Sequence, residues 1–404
     1  MKKVFQYISR GLDLMQKHFI LELKSIFTDS GAILILFIAV VVYPVIYSIV
    51  YMKGTLTDMP IALVDQDHTA SSQKYAQMLD ASAEMNISVY PSDLKEAETL
   101  LKNKKIDGVV FIPEGFQKKL LSGEQGEVSL YADAAYFLKY RNEMMAVSYT
   151  NTYFSAGISV KKYMASGQEY RQALVSNSPL DPQSHILYNP GTSYGSFVMP
   201  VIMLIVIQQT LLIAIGLMGG SFSESKKSPF ILDPKDRKHE IIPHLLGKAG
   251  AYFATSLLNI AFTLVMVYHW FGYTDKANFL HVLMLVFPFL VAVIFLGIGI
   301  STLFHHRESA ITFMVFLSPI ALFVTGVSWP TASIPDWLVT VSKLLPGSTL
   351  VPAYYRLRNM GVGLAGIKHE MWMLYLQAAI YMGITIVYYY YRMGVANRKL
   401  LFKK

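Results

Sequence analysis

The sequence predicts a mostly α-helical polytopic membrane protein, with six transmembrane helices and an α/β domain inserted between helices 1 and 2. The first observation is a deficit of charge: 15% of the 404 residues are charged, against about 25% in an ordinary soluble domain. The second is a set of six apolar runs without Asp, Glu, Lys or Arg, each near the roughly 20 residues that a spanning helix needs. The third is a polar island between the first two runs, where strand-like and helix-like segments alternate.

The six apolar runs are the predicted membrane segments. They cover residues 31–51, 196–218, 249–271, 279–304, 309–327 and 371–391. The first run is longer than the apolar core of a signal peptide and no small-residue cleavage site follows it, so we expect it to remain as an anchor. The chain has no cysteine, which excludes disulfides and thiolate metal sites.

Basic residues near the ends of the runs predict the orientation. The N-terminal region, the loop after the second run, the short loop at 305–308 and the C-terminal tail together carry 17 Lys or Arg and 8 Asp or Glu. Because positive loops stay inside, both termini are expected to be cytoplasmic. The excess of basic residues is explained by this topology, and no nucleic-acid partner is predicted.

These observations divide the chain into successive regions. They are a cytoplasmic amphipathic interface helix (1–30), transmembrane helix 1 (31–52), an extracytoplasmic α/β domain (53–194), transmembrane helices 2–6 (195–392) with a cytoplasmic loop at 219–248 and an external re-entrant or interfacial segment at 328–370, and a basic cytoplasmic tail (393–404).

The first 30 residues carry an apolar stripe at helical spacing. Its members are Phe5, Ile8, Leu12, Met15, Phe19, Leu23 and Ile26, and the basic residues Arg10, Lys17 and Lys24 lie off it. An amphipathic basic helix beside a span lies on the membrane surface. This helix is either an interfacial anchor only or also part of a docking surface for a cytoplasmic partner.

Three carboxylates of the α/β domain lie where predicted strands end. Asp65 and Asp67 close the strand "IALVDQD", and Asp133 closes "SLYAD". A hydrolase could use such carboxylates, whereas in a structural role they would cap the helices that follow, beginning with the helix for which Thr69 is the predicted N-cap. We favour the structural role.

Motifs for catalysis or nucleotide binding are missing from the sequence. The phosphate-binding pattern G-x-x-x-x-G-K-[ST] does not occur, so any ATP would be bound by another chain. His305 and His306 are adjacent, and Pro243 separates His239 from His244, so no metal site is predicted. We therefore expect no catalytic residue and no cofactor bound by this chain.

Polar residues inside the predicted spans are few. None of the six runs contains a charged residue, which argues against a proton-driven transporter because such a protein needs an ionisable relay. Gln208 and Gln209 lie in the middle of the second run. They either hold helices together by hydrogen bonds, which is the commoner role, or contact a substrate.

Fragments spread over about 380 residues resemble the permease subunits of ABC-2-type exporters, in the branch with a large extracytoplasmic domain. They are "LELKSIFTDS" before the first run, "IALVDQDHTASS", "DGVVFIPEGFQKKLLSGE" and "SLYAD" in the island, "YNP" before the second run, and "GVSWP", "IPDWL" and "LLPGSTLVPAYY" near the end. One departure lies after the second run, where the family commonly has Gly-Thr and this chain has lysines and serine.

The resemblance implies the roles of particular residues. Coupling to an ATPase is expected of a first set, Glu22, Asp29, Glu224, Lys226, Pro234, Gly247 and Lys248. A substrate path or gate is expected of a second set, Gln208, Gln209, Pro319, Gly326, Trp329 and Pro330. In the second set, Gly326 and Pro330 would end the fifth helix, and Trp329 would lie in an interfacial belt.

The resemblance also implies the function. It is that of a permease subunit of an ATP-driven exporter in the bacterial cytoplasmic (inner) membrane, moving an amphipathic or lipophilic substrate such as a drug, lipid or peptide, as in multidrug efflux. The implied partners are ABC ATP-binding subunits carrying ATP and Mg, a second permease copy or a sibling permease, a periplasmic adaptor protein and membrane lipids.

Two other classes remain open from the sequence. One is a non-transporting scaffold that holds the extracytoplasmic domain for assembly of a cell-surface or secretion machine. The other is a membrane-anchored hydrolase that acts through Asp65, Asp67 or Asp133.

Overall fold

The structure is a computed structural model that describes residues 2–52, 54–180, 183, 185–191, 193–225, 230–232, 237–326 and 329–401, with the side chains of 2–7, 318 and 393–401 left aside. The chain forms two compact units. We call Thr55–Ile186 the inserted unit. Met1–Gly54 and Leu187–Lys404 together form the second, which we call the membrane unit.

The inserted unit is built on a four-stranded mixed sheet in the order β2-β1-β3-β4, in which only β4 is antiparallel to its neighbour. Its elements are β1 (Met59–Asp65), α3 (Ala70–Asp80), β2 (Met85–Val89), α4 (Leu94–Lys102), β3 (Gly108–Ile112), α5 (Phe116–Ser122), β4 (Ser129–Ala132), α6 (Phe137–Ala165) and α7 (Tyr170–Asn177). Helix α5 was not predicted from the sequence.

Strand β1 is buried on both faces, because alternate side chains enter different cores. Ile61 and Leu63 pack with residues of α3, α5 and α6, whereas Ala62 and Val64 pack with α4. Alternation across a strand places successive residues on opposite faces. The sheet is therefore covered by helices on both sides.

The carboxylates at the strand ends are engaged in local structure. Asp65 accepts hydrogen bonds from the hydroxyl of Ser72 (2.6 Å) and the N–H of Asp67 (3.0 Å). Asp67 accepts from the Thr69 hydroxyl, and Asp133 pairs with Lys104. Thr69 is the N-cap of α3, with a reciprocal hydrogen bond from Ser72. These contacts support the structural role of the three aspartates.

The membrane unit consists of long helices. They are α1 (Lys2–Thr28), α2 (Ser30–Val50), α8 (Tyr194–Glu224), α9 (Ile241–Phe271), α10 (Phe279–Ser301), α11 (Arg307–Phe323), α12 (Asp336–Ser342), α13 (Pro346–Arg358) and α14 (Lys368–Leu401). Within the described residues, five helices are long and apolar enough to cross a membrane: α2, α8, α9, α10 and the Leu364–Arg392 segment. Helix α8 is central, with 83% of its apolar window buried against 22% for α2.

The predicted fifth run, residues 309–327, forms a shorter helix than expected. Helix α11 has 17 residues, because the chain leaves the helical path before Gly326, whose φ of +85° lies in the left-handed region that glycine tolerates. The helix packs against α8 through Ala310 and Met314, which lie beside Gly216.

Helix α9 is longer than the apolar run that predicted it. The third run was expected to start at residue 249 because Lys248 precedes it, but α9 begins at Ile241 and carries Lys248 within it. Lys248 thus lies in the helical turns that precede the uncharged run. Helices α2 and α9 each contain a π-helical turn, at Leu34–Ala39 and at Ala261–Val267.

The buried face of α1 differs from the predicted apolar stripe. Leu14, His18, Glu22 and Ile26 are buried at intervals of four, whereas Ile8 and Leu12 are exposed. The basic residues Arg10, Lys17 and Lys24 are exposed, as expected. Half of the buried face is thus polar, and its contacts define the candidate site below.

The inserted unit also contains a buried carboxyl group without a partner. Glu143 on α6 is fully buried, and neither of its oxygens has a hydrogen-bond partner among the described residues. A Cβ at Gly108 would lie 2.9 Å from Glu143 Oε2, so the carboxyl packs directly on β3. Burial, and then the charge of Asp107, raise the pKa of Glu143 to about 7, although Lys139 opposes the shift.

We expect the stability of the inserted unit to fall as pH rises through about 7. Because the pKa is raised above that of the unfolded chain, the folded unit binds this proton more tightly. The contribution of Glu143 is therefore fully present below its ordinary pKa and is lost as the folded-state pKa is passed. At pH 8, Glu143→Gln should stabilise the unit by about 1–2 kcal/mol. Hydrogen exchange of the β3 peptide in the full chain would measure this.

A matched control is Glu114→Gln, an exposed carboxyl in the same unit. It should leave the pH dependence of exchange unchanged. Equal protection of β3 at pH 6 and pH 8 in the unmodified chain would contradict the assignment.

Candidate functional site

Helices α1 and α9 approach each other closely at Gly247. A Cβ at this position would lie 2.5 Å from the main-chain oxygen of Met15 and 2.8 Å from the Cβ of His18. Only glycine leaves room for this contact. The predicted coupling residue Gly247 therefore allows α1 to lie directly on α9.

A buried ion pair joins the two helices beside this contact. Lys248 Nζ lies 3.3 Å from Glu22 Oε1, and both side chains are almost fully buried. The hydroxyl of Tyr252, one turn further along α9, donates to the same Glu22 oxygen at 2.8 Å. Buried charges are tolerated when they are paired and hydrogen-bonded. Helix α1 supplies the carboxylate, and α9 supplies the ammonium group and the hydroxyl that pair with it.

A second buried contact ties the loop before α9 to α1. His18 Nε2 lies 2.8 Å from Glu240 Oε1, and the Nδ1 atoms of His18 and His244 are 3.1 Å apart. The Glu240 carboxylate also accepts the main-chain N–H groups of Ile231 (2.6 Å) and Leu232 (2.8 Å). Glu240 thus connects α1, the start of α9 and part of the loop after α8.

The third contact lies at the junction of α1 and α2. Arg307, the first residue of α11, donates to both oxygens of Asp29 at 2.7 Å. Its main-chain N–H donates to Glu224 Oε1 at 2.9 Å, and Gly31 leaves room for the guanidinium, which lies 2.5 Å from the place of a Cβ. Partial burial raises the pKa of Asp29, but the hydrogen bonds from Arg307 and Ala32 outweigh it and hold that pKa below its ordinary value.

We call His18, Glu22, Asp29, Glu240, Lys248 and Arg307 the α1 polar cluster. Of the predicted coupling residues, Glu22, Gly247 and Lys248 meet at one contact, and Asp29 and Glu224 meet at Arg307. Lys226 and Pro234 lie outside the described residues.

Sequence reasoning missed several members of the cluster. His18, Glu240 and Arg307 were not predicted as site residues, and neither was Tyr252, which donates to Glu22 beside the cluster. The available signal was the position of His18 and Glu22, four residues apart and therefore on one face of α1. The structure also shows why the apolar pattern was misleading: the buried face is polar where α9 supplies partners.

The predicted gate residues fall into two groups. Gln208 is fully buried in α8, and its side-chain oxygen accepts the N–H of Gly347 at 2.7 Å, in the first turn of α13. Gln377 and Tyr381 of α14 hold the main-chain oxygens of Lys343 and Leu344 just before it. Gln208 therefore acts as a link between helices, which is the role that the sequence favoured.

The other gate residues differ in burial. Gln209 is buried, and neither its oxygen nor its nitrogen has a hydrogen-bond partner among the described residues. Trp329 and Pro330 are exposed, and Pro319 lies exposed within α11. Pro319, Trp329 and Pro330 lie in α11 and in the segment just after it, whereas Gln208 holds the start of α13.

We expect the Glu22–Lys248 pair to stabilise the membrane unit as a pair. Glu22→Gln or Lys248→Met alone should cost about 3 kcal/mol, because each leaves an uncompensated buried charge. The double variant should cost less than the sum of the two, since it removes both charges and keeps an acceptor for Tyr252. All four tryptophans lie in the membrane unit, so tryptophan fluorescence during unfolding reports on it.

The chain offers a matched control on the same helix. Asp13 and Lys17 form an exposed pair at 2.9 Å, and its removal by Asp13→Asn with Lys17→Met should change stability by no more than about 0.5 kcal/mol. Additive effects of Glu22→Gln and Lys248→Met would show that the two residues do not interact.

Comparison with known proteins identifies the relationship of the chain. Residues 30–387 match the model of the ABC-2 family transporter protein. The chain is also 24% identical over 352 residues to the linearmycin resistance permease protein LnrN of Bacillus subtilis (strain 168), covering 81% of this chain and 86% of that protein.

The family match covers both units, from the start of α2 to the last long helix. This agrees with the helices of the membrane unit and with the resemblance seen in the sequence fragments. The chain is a multi-pass transporter membrane component that belongs to the ABC-2 family.

Proposed function

We propose that this chain is the permease subunit of an ATP-driven exporter and that the α1 polar cluster transmits movement from an ATP-binding subunit. The observation that carries the proposal is that α1 is fastened to α9, to the loop after α8 and to the start of α11 through buried or bidentate contacts. A displacement of α1 or of that loop would therefore move several membrane helices together.

The proposed topology places α1, the loop at 219–248 and both termini in the cytoplasm of a bacterial inner-membrane protein. It counts α11, the fifth in chain order, as a span in addition to the five longer helices, although α11 is the shortest of the six. The inserted unit would then lie outside the cytoplasm, where it would gate the exit or dock a periplasmic adaptor.

The proposed cargo is an amphipathic or lipophilic molecule. The membrane unit has an apolar core, and a relative is named for resistance to linearmycin, which is consistent with removal of a compound from the cell. The complete exporter would contain two permease chains, identical or related, and two ATP-binding subunits that supply ATP and Mg. Binding of ATP would favour one of two membrane conformations.

The topology can be tested directly because the chain has no cysteine. Single cysteines at His305, Gln125 and Ser333, all exposed, would be labelled with an impermeant maleimide in intact cells and in inverted vesicles. We expect His305→Cys to react only from the cytoplasmic side and the other two only from outside. Labelling of His305→Cys and Ser333→Cys from one side would show that α11 does not span.

The coupling role predicts a specific defect in a reconstituted complex. With its ATP-binding subunit in proteoliposomes, Glu240→Gln should lower ATP turnover and cargo movement about tenfold, because the loop loses charge-assisted bonds to α1. The complex itself should still assemble. Measured ATPase rates and export of a fluorescent amphiphile would show this.

Asp13→Asn, on the exposed face of α1, is the control and should behave as the unmodified chain. If no ATP-binding subunit copurifies with the chain, or ATP turnover does not depend on it, the exporter assignment is wrong and a scaffold role is favoured.

A further inference from the structure

A cavity lies at the end of α9 that is farthest from the α1 polar cluster. Its volume is about 380 Å³. The residues that matter for its chemistry are Leu264, Val265, Tyr268, Asp275, Phe279 and Arg358. They come from α9, from the loop that follows it, from the start of α10 and from the end of α13.

Arg358 is a buried cation in the wall of this cavity. It is 1% exposed, and its Nη2 donates to the main-chain oxygen of Leu264 at 2.8 Å. The guanidinium lies 3.9 Å from the centre of the Tyr268 ring. Leu264 belongs to the π-helical turn Ala261–Val267, a widened turn of the kind often found at functional sites.

The hydrogen-bonding capacity of Arg358 is only partly used. Its Nε and Nη1 atoms are buried without a well-aligned hydrogen-bond partner among the described residues, and so are the hydroxyls of Tyr268 and Tyr354, which lie beside the guanidinium. Leaving buried donors unpaired costs free energy. Oxygens of a phosphate or carboxylate group would satisfy such donors with strong, charge-assisted bonds.

The charge around the cavity also favours an anion. Asp275 lies 3.3 Å from Nη2 of Arg358 and partly balances it. The next residue, Lys276, is held against the end of α13 because its N–H donates to the main-chain oxygen of Arg358. The Lys276 side chain points elsewhere, with its ammonium over the ring of Tyr188. Because the Asp275 side chain is 38% exposed and that of Arg358 is buried, the carboxylate is solvated and balances the guanidinium only in part. The neighbouring Arg356 is already paired with Glu370.

The rim of the cavity is apolar and open to the outer surface of the membrane unit. Val265 and Phe279 are 43% and 54% exposed, and Met266, Trp270 and Leu280 beside them are exposed too. An exposed tryptophan such as Trp270 near the end of a membrane helix is typical of the interface, where lipid headgroups meet the tails. The cavity thus offers a cationic wall beside an apolar surface.

We propose that this cavity binds the anionic headgroup, phosphate or carboxylate, of an amphiphile whose tail lies against Val265 and Phe279. The headgroup oxygens accept hydrogen bonds from Arg358 and Tyr268. The inference depends on the chain being a membrane protein and not on the direction of transport or on the ATP-binding partner.

The test uses the full chain in dodecyl maltoside micelles, with dodecyl phosphate as the probe. The two amphiphiles share a tail, so the phosphate headgroup is the difference. We expect the unfolding temperature, followed by tryptophan fluorescence, to rise with the concentration of dodecyl phosphate and to reach a plateau. The concentration that gives half of this rise is the midpoint. Inorganic phosphate at the same concentrations should give no such rise.

Three variants assign the effect to the cavity. Arg358→Gln should raise the midpoint concentration at least about tenfold, because the headgroup loses one charge-assisted contact. Asp275→Asn should lower it about threefold, because it removes the competing carboxylate and keeps an oxygen for the N–H of Ala277. Arg356→Gln, which removes the same charge two residues away, should leave it unchanged.

The result for Asp275→Asn matters most, because a variant that is merely misfolded cannot bind more tightly. An unchanged midpoint in Arg358→Gln, weaker binding in Asp275→Asn, or equal stabilisation by inorganic phosphate would each overturn the proposal.

Discussion

Glu22 and Lys248 lie 3.3 Å apart and out of contact with water, and the position of α1 depends on this pair. Charges taken out of water are costly unless a partner of opposite sign is held in place. Helix α1 therefore cannot leave α9 without exposing or stranding one charge. The close approach at Gly247 and the contact between His18 and Glu240 follow from the same docking, since all three involve one face of α1 and the first turns of α9.

Much of the fold followed from local sequence patterns. Apolar runs placed the long helices, and the strand-helix alternation placed the elements of the inserted unit, including the N-cap at Thr69. Helix α9 begins before its apolar run because hydropathy stops at a lysine, whereas the helix continues through Lys248, whose charge Glu22 compensates. Helix α11 ends at Phe323, shortly before Gly326, which the sequence was expected to use as a helix end and which adopts a left-handed conformation.

The sequence predicted the acidic residues of the candidate site next to the first span but not most of the residues that pair with them. Glu22 and Asp29 were found because they lie near the first span in a segment that resembles known permeases. Their partners were not, since Asp29 meets Arg307 across 278 positions in the chain and Glu22 meets Tyr252 across 230. A periodicity shows which residues share a face of a helix, but it does not show which helix that face meets. Arg358 was not predicted for the same reason, because its burial depends on a carbonyl of α9 and on the ring of Tyr268, which lie far from it in the sequence.

Helix α9 connects the two polar regions of the membrane unit. Its first turns carry Lys248 and Tyr252 in contact with α1, and its last turns carry Leu264 and Tyr268 in contact with Arg358. An α-helix resists changes in length because its hydrogen bonds run along its axis. A displacement of α9 at the α1 polar cluster must therefore be absorbed at the π-helical turn, Ala261–Val267, or move Leu264 relative to Arg358. In the second case, under the proposed coupling, the hydrogen bond between the Leu264 carbonyl and Arg358 would carry a movement begun at α1 to the cavity.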